Sequence, residues 1–265
     1  MTAFVNGARI FFLGGVMSYR ALFHWLSPWI LIPSFLVGPI AQILLFAFLG
    51  RSAGVGSDEF FVVGNALQYA AIPCLFAMGN TIGDERQEKT LGIILSTPAP
   101  RVPLFLGRAI PVIANVFLVA LFSLVVGGAI FSIDVPASAY LPIAVVTLVA
   151  SFSCTGLGLV CAALALRVRE TAVLANVIFG ILLVFCGVNV PLESLPEWMS
   201  SVSPWLPLTH GIAAARTLAD GATFSSVSGD LVREAGIGAL YVMIGMAMLS
   251  YFEWESRRRA TLEVF

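Results

Sequence analysis

Asp84, Glu85 and Glu88 place three carboxylates within five residues. Carboxylates at that density could hold a divalent cation through oxygen ligands. Arg86 and Lys89 stand among them, so a salt-linked helix is the better reading. Glu85 precedes Lys89 by four residues, the favourable order for a helical ion pair. The other reactive side chains are scattered. His24 and His210 stand alone, and no H-E-x-x-H occurs. Cys74, Cys154, Cys161 and Cys186 all fall in apolar stretches and make no C-x-x-C pair, so they read as small hydrophobes. No G-x-x-x-x-G-K-[ST] loop is present, so nothing here cradles ATP in that way.

A second set of candidates is polar without charge. Asn65, Gln68, Asn115 and Asn176 lie inside long apolar runs. Amides are costly in lipid and tend to face the protein interior. These four are therefore candidates for a substrate path, with hydrogen bonding between helices as the alternative. Asn65 and Gln68 are three apart and share a helical face. Asn189 and Glu193 fall where the fifth apolar run gives way to a broken segment, and they are candidates for an outer gate.

The elements that must position these residues are transmembrane helices. Six stretches carry no Asp, Glu, Lys or Arg: 29–49, 60–83, 109–133, 135–166, 171–192 and 235–252. A helix needs about 20 apolar residues to cross the hydrocarbon core. Backbone groups in lipid must be satisfied internally, which selects helices over open strands. The chain is 59% hydrophobic and 11% charged, with mean hydropathy +0.96. Soluble domains carry roughly 25% charge, so a soluble protein is excluded. The formal net charge is −1, and no nucleic-acid partner is expected. The expected fold is an all-α membrane protein with six transmembrane helices, in one domain over 1–265.

Residues 1–27 lack the pattern of a cleaved signal peptide. Arg9, Arg20 and His24 share one helical face, with apolar residues on the rest, so this segment reads as an amphipathic helix lying in the membrane interface. With both termini inside, eleven of the 14 Lys and Arg are cytoplasmic, leaving only Arg51, Arg216 and Arg233 outside. That satisfies the positive-inside rule. A further run, 198–215, is also free of formal charge but contains Pro204 and Pro207. A seventh span there would put Arg257, Arg258 and Arg259 outside. We therefore expect residues 192–220 to form an outer re-entrant element of short broken helices.

Residues 84–101 read as a cytoplasmic amphipathic helix. Leu91, Ile94 and Leu95 share one face, and Glu85, Glu88 and Lys89 the other. Pro98, Pro100 and Pro103 end it and turn the chain back towards the membrane. Such a helix is suited to docking, with an apolar ridge for a groove and charges to fix its orientation.

This segment resembles the coupling-helix region of the ABC-2-type transporter permeases. Those subunits commonly show a Glu-rich stretch, then Gly-Thr-Leu, then Ser/Thr-Pro and a basic residue. This chain has Glu85, Arg86 and Glu88, then Thr90-Leu91, then Ser96-Thr97-Pro98 and Arg101. Lys89 stands where the family usually has Gly. Pro191, Leu195-Pro196-Glu197-Trp198, Pro204, Pro207-Leu208-Thr209 and Arg216 resemble the family's outer element before its last span.

The resemblance implies a non-catalytic subunit of an exporter in a bacterial inner membrane. It implies a separate ATP-binding cassette subunit that carries the ATP and Mg, so no cofactor is expected in this chain. It also implies a second permease subunit, either a copy or a paralogue, and contact with membrane lipids. Glu85, Arg86, Glu88, Lys89, Thr90, Leu91, Ile94 and Leu95 would couple to the ATPase. The cargo would be amphiphilic, lipid-linked or drug-like. The competing readings are a stand-alone secondary transporter and an intramembrane lipid-modifying enzyme. The first needs a midplane charge and half-repeats, and the second needs paired carboxylates or His ligands. Neither pattern is evident in the sequence.

Overall fold

The computed structural model describes residues 9, 11–17, 28–87, 107, 109–133, 135–167 and 171–259. Its principal α-helices are α1 Pro28–Ala53, α2 Asp58–Gln87, α3 Ala109–Phe131, α4 Tyr140–Leu164, α5 Thr171–Phe185, α6 Glu197–Val202, α7 Thr209–Ala219 and α8 Ser228–Arg259. No strand occurs among the described residues.

Among the described residues, five helical stretches are long and apolar enough to cross a membrane: Leu36–Ala53, Asp58–Phe76, Val112–Phe131, Ala137–Leu164 and Phe224–Phe252. The expected fifth span, 171–192, departs from its charge-free length. Its helix α5 stops at Phe185 after 15 residues. Gly187 follows with φ +71°, a left-handed conformation that glycine adopts without steric cost. Lack of charge marks a segment as apolar. It does not say where a glycine will turn the backbone.

The exposed surface is that of a membrane protein. Val37, Leu45 and Phe48 on α1, Leu118 and Val125 on α3, Val177 on α5, and Leu240 and Met243 on α8 all face outward. A soluble monomer rarely exposes apolar area on that scale. At the N-terminus residues 11–17 are helical, with Phe12, Leu13, Val16 and Met17 exposed. Arg20 and His24 lie outside the described residues.

Helix α4 is the centre of the bundle, packed extensively along α8 and α2. Two glycines admit these neighbours on different sides. A Cβ at Gly156 would stand 2.7 Å from the Gly238 carbonyl oxygen of α8. A Cβ at Gly158 would crowd the Cys74 carbonyl and Met78 of α2. With no side chain at either position the backbones approach closely, which is how helices associate in lipid. Thr147, Ser151 and Thr155 are buried in α4 and donate their hydroxyls to carbonyls four residues back. Local bonding of this kind satisfies buried hydroxyls without a partner helix.

The two ends of the bundle differ. One holds the loop 54–57, the turn near Pro136 and the broken segment 186–227. Arg216 reaches Phe60 there, and Gly221 lies close to Pro136. At the other end Arg167 pairs with Glu255 and stacks on Phe252.

Candidate functional site

The break after α5 leaves backbone carbonyls without helical partners, and Arg216 satisfies them. From the last turn of α7 its Nη1 donates to Gly187 O at 2.8 Å. Its Nη2 donates to Val188 O at 2.9 Å and to Phe60 O at 3.0 Å. The guanidinium carbon stands 3.6 Å from the Phe60 ring centroid, a cation–π contact. Gly64 makes room, because a Cβ there would lie 2.6 Å from both Arg216 Nη2 and Val188 O. One planar fork thus ties α2, the break and α7 together, a role a lysine does not reproduce. Burial pulls the Arg216 pKa down to about 10, opposed by the Glu193 carboxylate. The group therefore stays charged at neutral pH.

Beside this clamp runs a chain of four amides. Asn65 Nδ2 donates to its own helix at Phe61 O, 2.8 Å, and to Asn189 Oδ1, 2.8 Å. Gln42 Nε2, on α1, donates to Asn65 Oδ1 at 3.0 Å and to Gln68 Oε1 at 2.6 Å. Asn65 and Gln68 are fully buried. The amides join α1, α2 and the break in a medium where such bonds have few competitors.

A third tie fixes the start of α7. The buried carboxylate of Glu234, on α8, accepts from Leu208 N at 2.7 Å and Gly211 N at 3.1 Å. Nearby, His210 Nδ1 lies 3.6 Å from Asp230 Oδ1, and its Nε2 lies 3.2 Å from Pro204 O. Among the described residues no group of His, Cys, Asp and Glu is placed to hold a metal ion.

The structure brings Asn65, Gln68 and Asn189 together and leaves the other candidates apart. Asn115 is half-buried on α3. Asn176 is exposed on α5 and donates to Ala172 O at 2.8 Å within its own helix. Glu193 is exposed, in the short 3₁₀ turn Leu192–Ser194. Glu85 and Arg86 belong to the last turn of α2. Glu88, Lys89, Thr90, Leu91, Ile94 and Leu95 lie outside the described residues.

Three residues of this arrangement escape the sequence reading. Gln42 meets the criterion that selected Asn65, a polar group within a charge-free stretch. Arg216 is read as an outer charge and as part of the resemblance to the family's outer element, with no partner assigned to it. Glu234 falls one residue before the stretch 235–252, which left that span without a formal charge. The helix in fact begins at Ser228, so Glu234 is a buried charge-bearing side chain within it. The signal was a carboxylate next to an apolar run.

The ABC-2 type transporter family model matches residues 15–219. The match takes in the amide chain from Gln42 to Asn189, Arg216 and the whole broken segment before Asp220. No curated protein matches the chain. Members of this family normally work with an ATP-binding subunit. With most of its length matched and five helices of membrane-crossing length among the described residues, the chain belongs to the ABC-2 type transporter family, as a multi-pass transmembrane permease component.

Proposed function

We propose that this chain is the permease subunit of an ATP-driven exporter, moving an amphiphilic, lipid-linked or drug-like cargo. A separate ATP-binding subunit docks on segment 84–101, and a second permease subunit completes the path. The carrying observation is the length of α2. It runs 30 residues, Asp58–Gln87, about 45 Å at the helical rise. The hydrocarbon core is about 30 Å thick. Helix α2 thus begins at the end of the bundle that holds the break and is long enough for its last turn, with Asp84 and Glu85, to clear the hydrocarbon core. A soluble ATPase could reach a charged segment carried out of the hydrocarbon core in this way.

The distribution of basic residues supports both termini and segment 84–101 being cytoplasmic, and the family resemblance supports a bacterial inner membrane. ATP and Mg then belong to the partner, and this chain performs no catalysis. Movement of the docked segment is transmitted along α2 to Asn65 and Gln68, because they lie on the same continuous helix.

Gentle detergent extraction of the tagged chain from its native membrane, followed by identification of stoichiometric partners, tests this. Recovery of an ATPase with a phosphate-binding loop supports the reading. A chain that is stable alone, with no ATPase recovered, sinks it.

A further inference from the structure

The four amides have one consistent orientation, and it leaves an excess of donors. Phe61 O is a backbone carbonyl and only accepts. The Asn65 group facing it at 2.8 Å is therefore Nδ2. The same Nδ2 faces Asn189 at 2.8 Å, so Asn189 turns its oxygen inward and its Nδ2 away. Asn65 Oδ1 faces Gln42 at 3.0 Å, so the Gln42 atom there is Nε2. That Nε2 also faces Gln68 at 2.6 Å, so Gln68 offers Oε1 and turns its Nε2 away. One carbonyl thus sets all four amides, and both ends of the chain finish in N–H groups. Among the described residues the buried atoms Gln68 Nε2, Asn189 Nδ2 and Arg216 Nε have no hydrogen-bond partner. Gln68 is 0% exposed, where an unmet donor is costly. Asn189 and Gln42 are half-buried, but the two unmet nitrogens themselves are closed off, so a ligand meets them only when the broken segment around Asn189 moves aside.

We propose that Gln42, Asn65, Gln68 and Asn189 form a recognition site for an oxygen acceptor, an ester carbonyl or a phosphoryl group, on the head of an amphiphile. The inference deepens the permease reading and rests on it, naming the chemistry of the cargo's head. Gln68 lies ten residues into α2, about 15 Å along its axis. Few competing acceptors exist at such a depth. The unmet buried amide groups are both donors, Gln68 Nε2 and Asn189 Nδ2, so a head that offers an oxygen supplies what they lack, and one that only donates leaves both unmet. The nearby Arg216 guanidinium adds a third donor and a positive charge, which disfavours a cationic head.

The test uses the full chain in dodecyl maltoside and three probes with the same tail: dodecyl acetate, monododecyl phosphate and dodecylamine. Binding to the folded state raises the melting temperature, by about 3 °C for a well-occupied site in a chain of this size. Dodecyl acetate or monododecyl phosphate should give that rise, and whichever acts identifies a carbonyl or a phosphoryl group. Dodecylamine should not. Gln68→Met and Asn189→Leu each remove the unmet donor and put no polar hydrogen in its place. Each should abolish the rise, and two independent variants guard against one failing to fold. An equal rise with dodecylamine, no rise with either acceptor, or an undiminished rise in the folded variants overturns the proposal. None of these outcomes bears on recovery of an ATPase, so the site can fail while the permease reading stands.

Discussion

The Glu234 carboxylate of α8 accepts the backbone N–H of Leu208 at 2.7 Å, where Leu208 holds φ +80° at the start of α7. A left-handed leucine costs about 1–3 kcal/mol. Its side chain is fully buried, so the strain is offset by packing and by this hydrogen bond. The carboxylate also takes Gly211 N, giving α7 the N-terminal cap that its own sequence lacks. A carboxylate near a helix N-terminus is further favoured by the helix dipole.

Glu234→Leu strands two backbone donors in the interior and should cost about 2–3 kcal/mol. Glu234→Gln retains one accepting oxygen and should cost less. Chemical unfolding of the purified protein should rank stability as wild type, then Gln, then Leu. Equal stability of Leu and wild type would show that the cap contributes nothing.

Arg216→Ala should loosen the break without unfolding the bundle. Cys186 is buried and donates its thiol towards Pro207 O at 3.3 Å, so it reports on that segment. In a background with Cys74, Cys154 and Cys161 changed to Ala, maleimide labels Cys186 only when the segment opens. Losing about 1.5 kcal/mol of local stability should speed labelling about tenfold. Arg216→Lys should give an intermediate rate, because an ammonium lacks the planar fork.

Glycines of one helical bundle should respond in opposite directions to alanine. At Gly156 and Gly238 the added methyl meets backbone of the facing helix, at 2.7 Å and 2.8 Å, and should cost about 1–3 kcal/mol. At Gly180 nothing lies within 4 Å, and Ala should be neutral or stabilising by up to about 1 kcal/mol. Thermal unfolding of the three variants side by side checks the contrast.

Glu85→Ala combined with Glu88→Ala should lower transport and ATPase coupling while leaving membrane insertion intact. The readouts are transport in reconstituted vesicles, ATP turnover of the assembled complex, and the amount of chain in the membrane fraction. Normal transport in this double variant would remove the coupling role from segment 84–101.

Absence of charge located the long apolar helices well, because transferring an ionised group to lipid dominates every other local term. Helix α2 exceeds its charge-free run by a few residues at each end, since a helix does not end at the membrane surface. Tertiary partners were not legible. Asn65 and Gln68 stood out as one polar face, but their partner Gln42 sits 23 and 26 residues away. Nothing in local spacing links them. The role of Glu234 depends on α7 arriving with unmet N–H groups, which the sequence signals only through a proline-rich break. Gly156 and Gly238 read as weak helix formers until the facing backbones are seen.

Helix α5 is too short to cross the hydrocarbon core alone. Its 15 residues rise about 22 Å, against a hydrocarbon thickness of about 30 Å. Beyond α5 the chain continues as the broken segment rather than as helix: Cys186 and Val188 are buried, and the Trp198 ring of α6 stands 5.9 Å from that of Phe185. The height that α5 lacks is thus filled by non-helical backbone, whose freed carbonyls require a donor such as Arg216 in a layer that water reaches poorly.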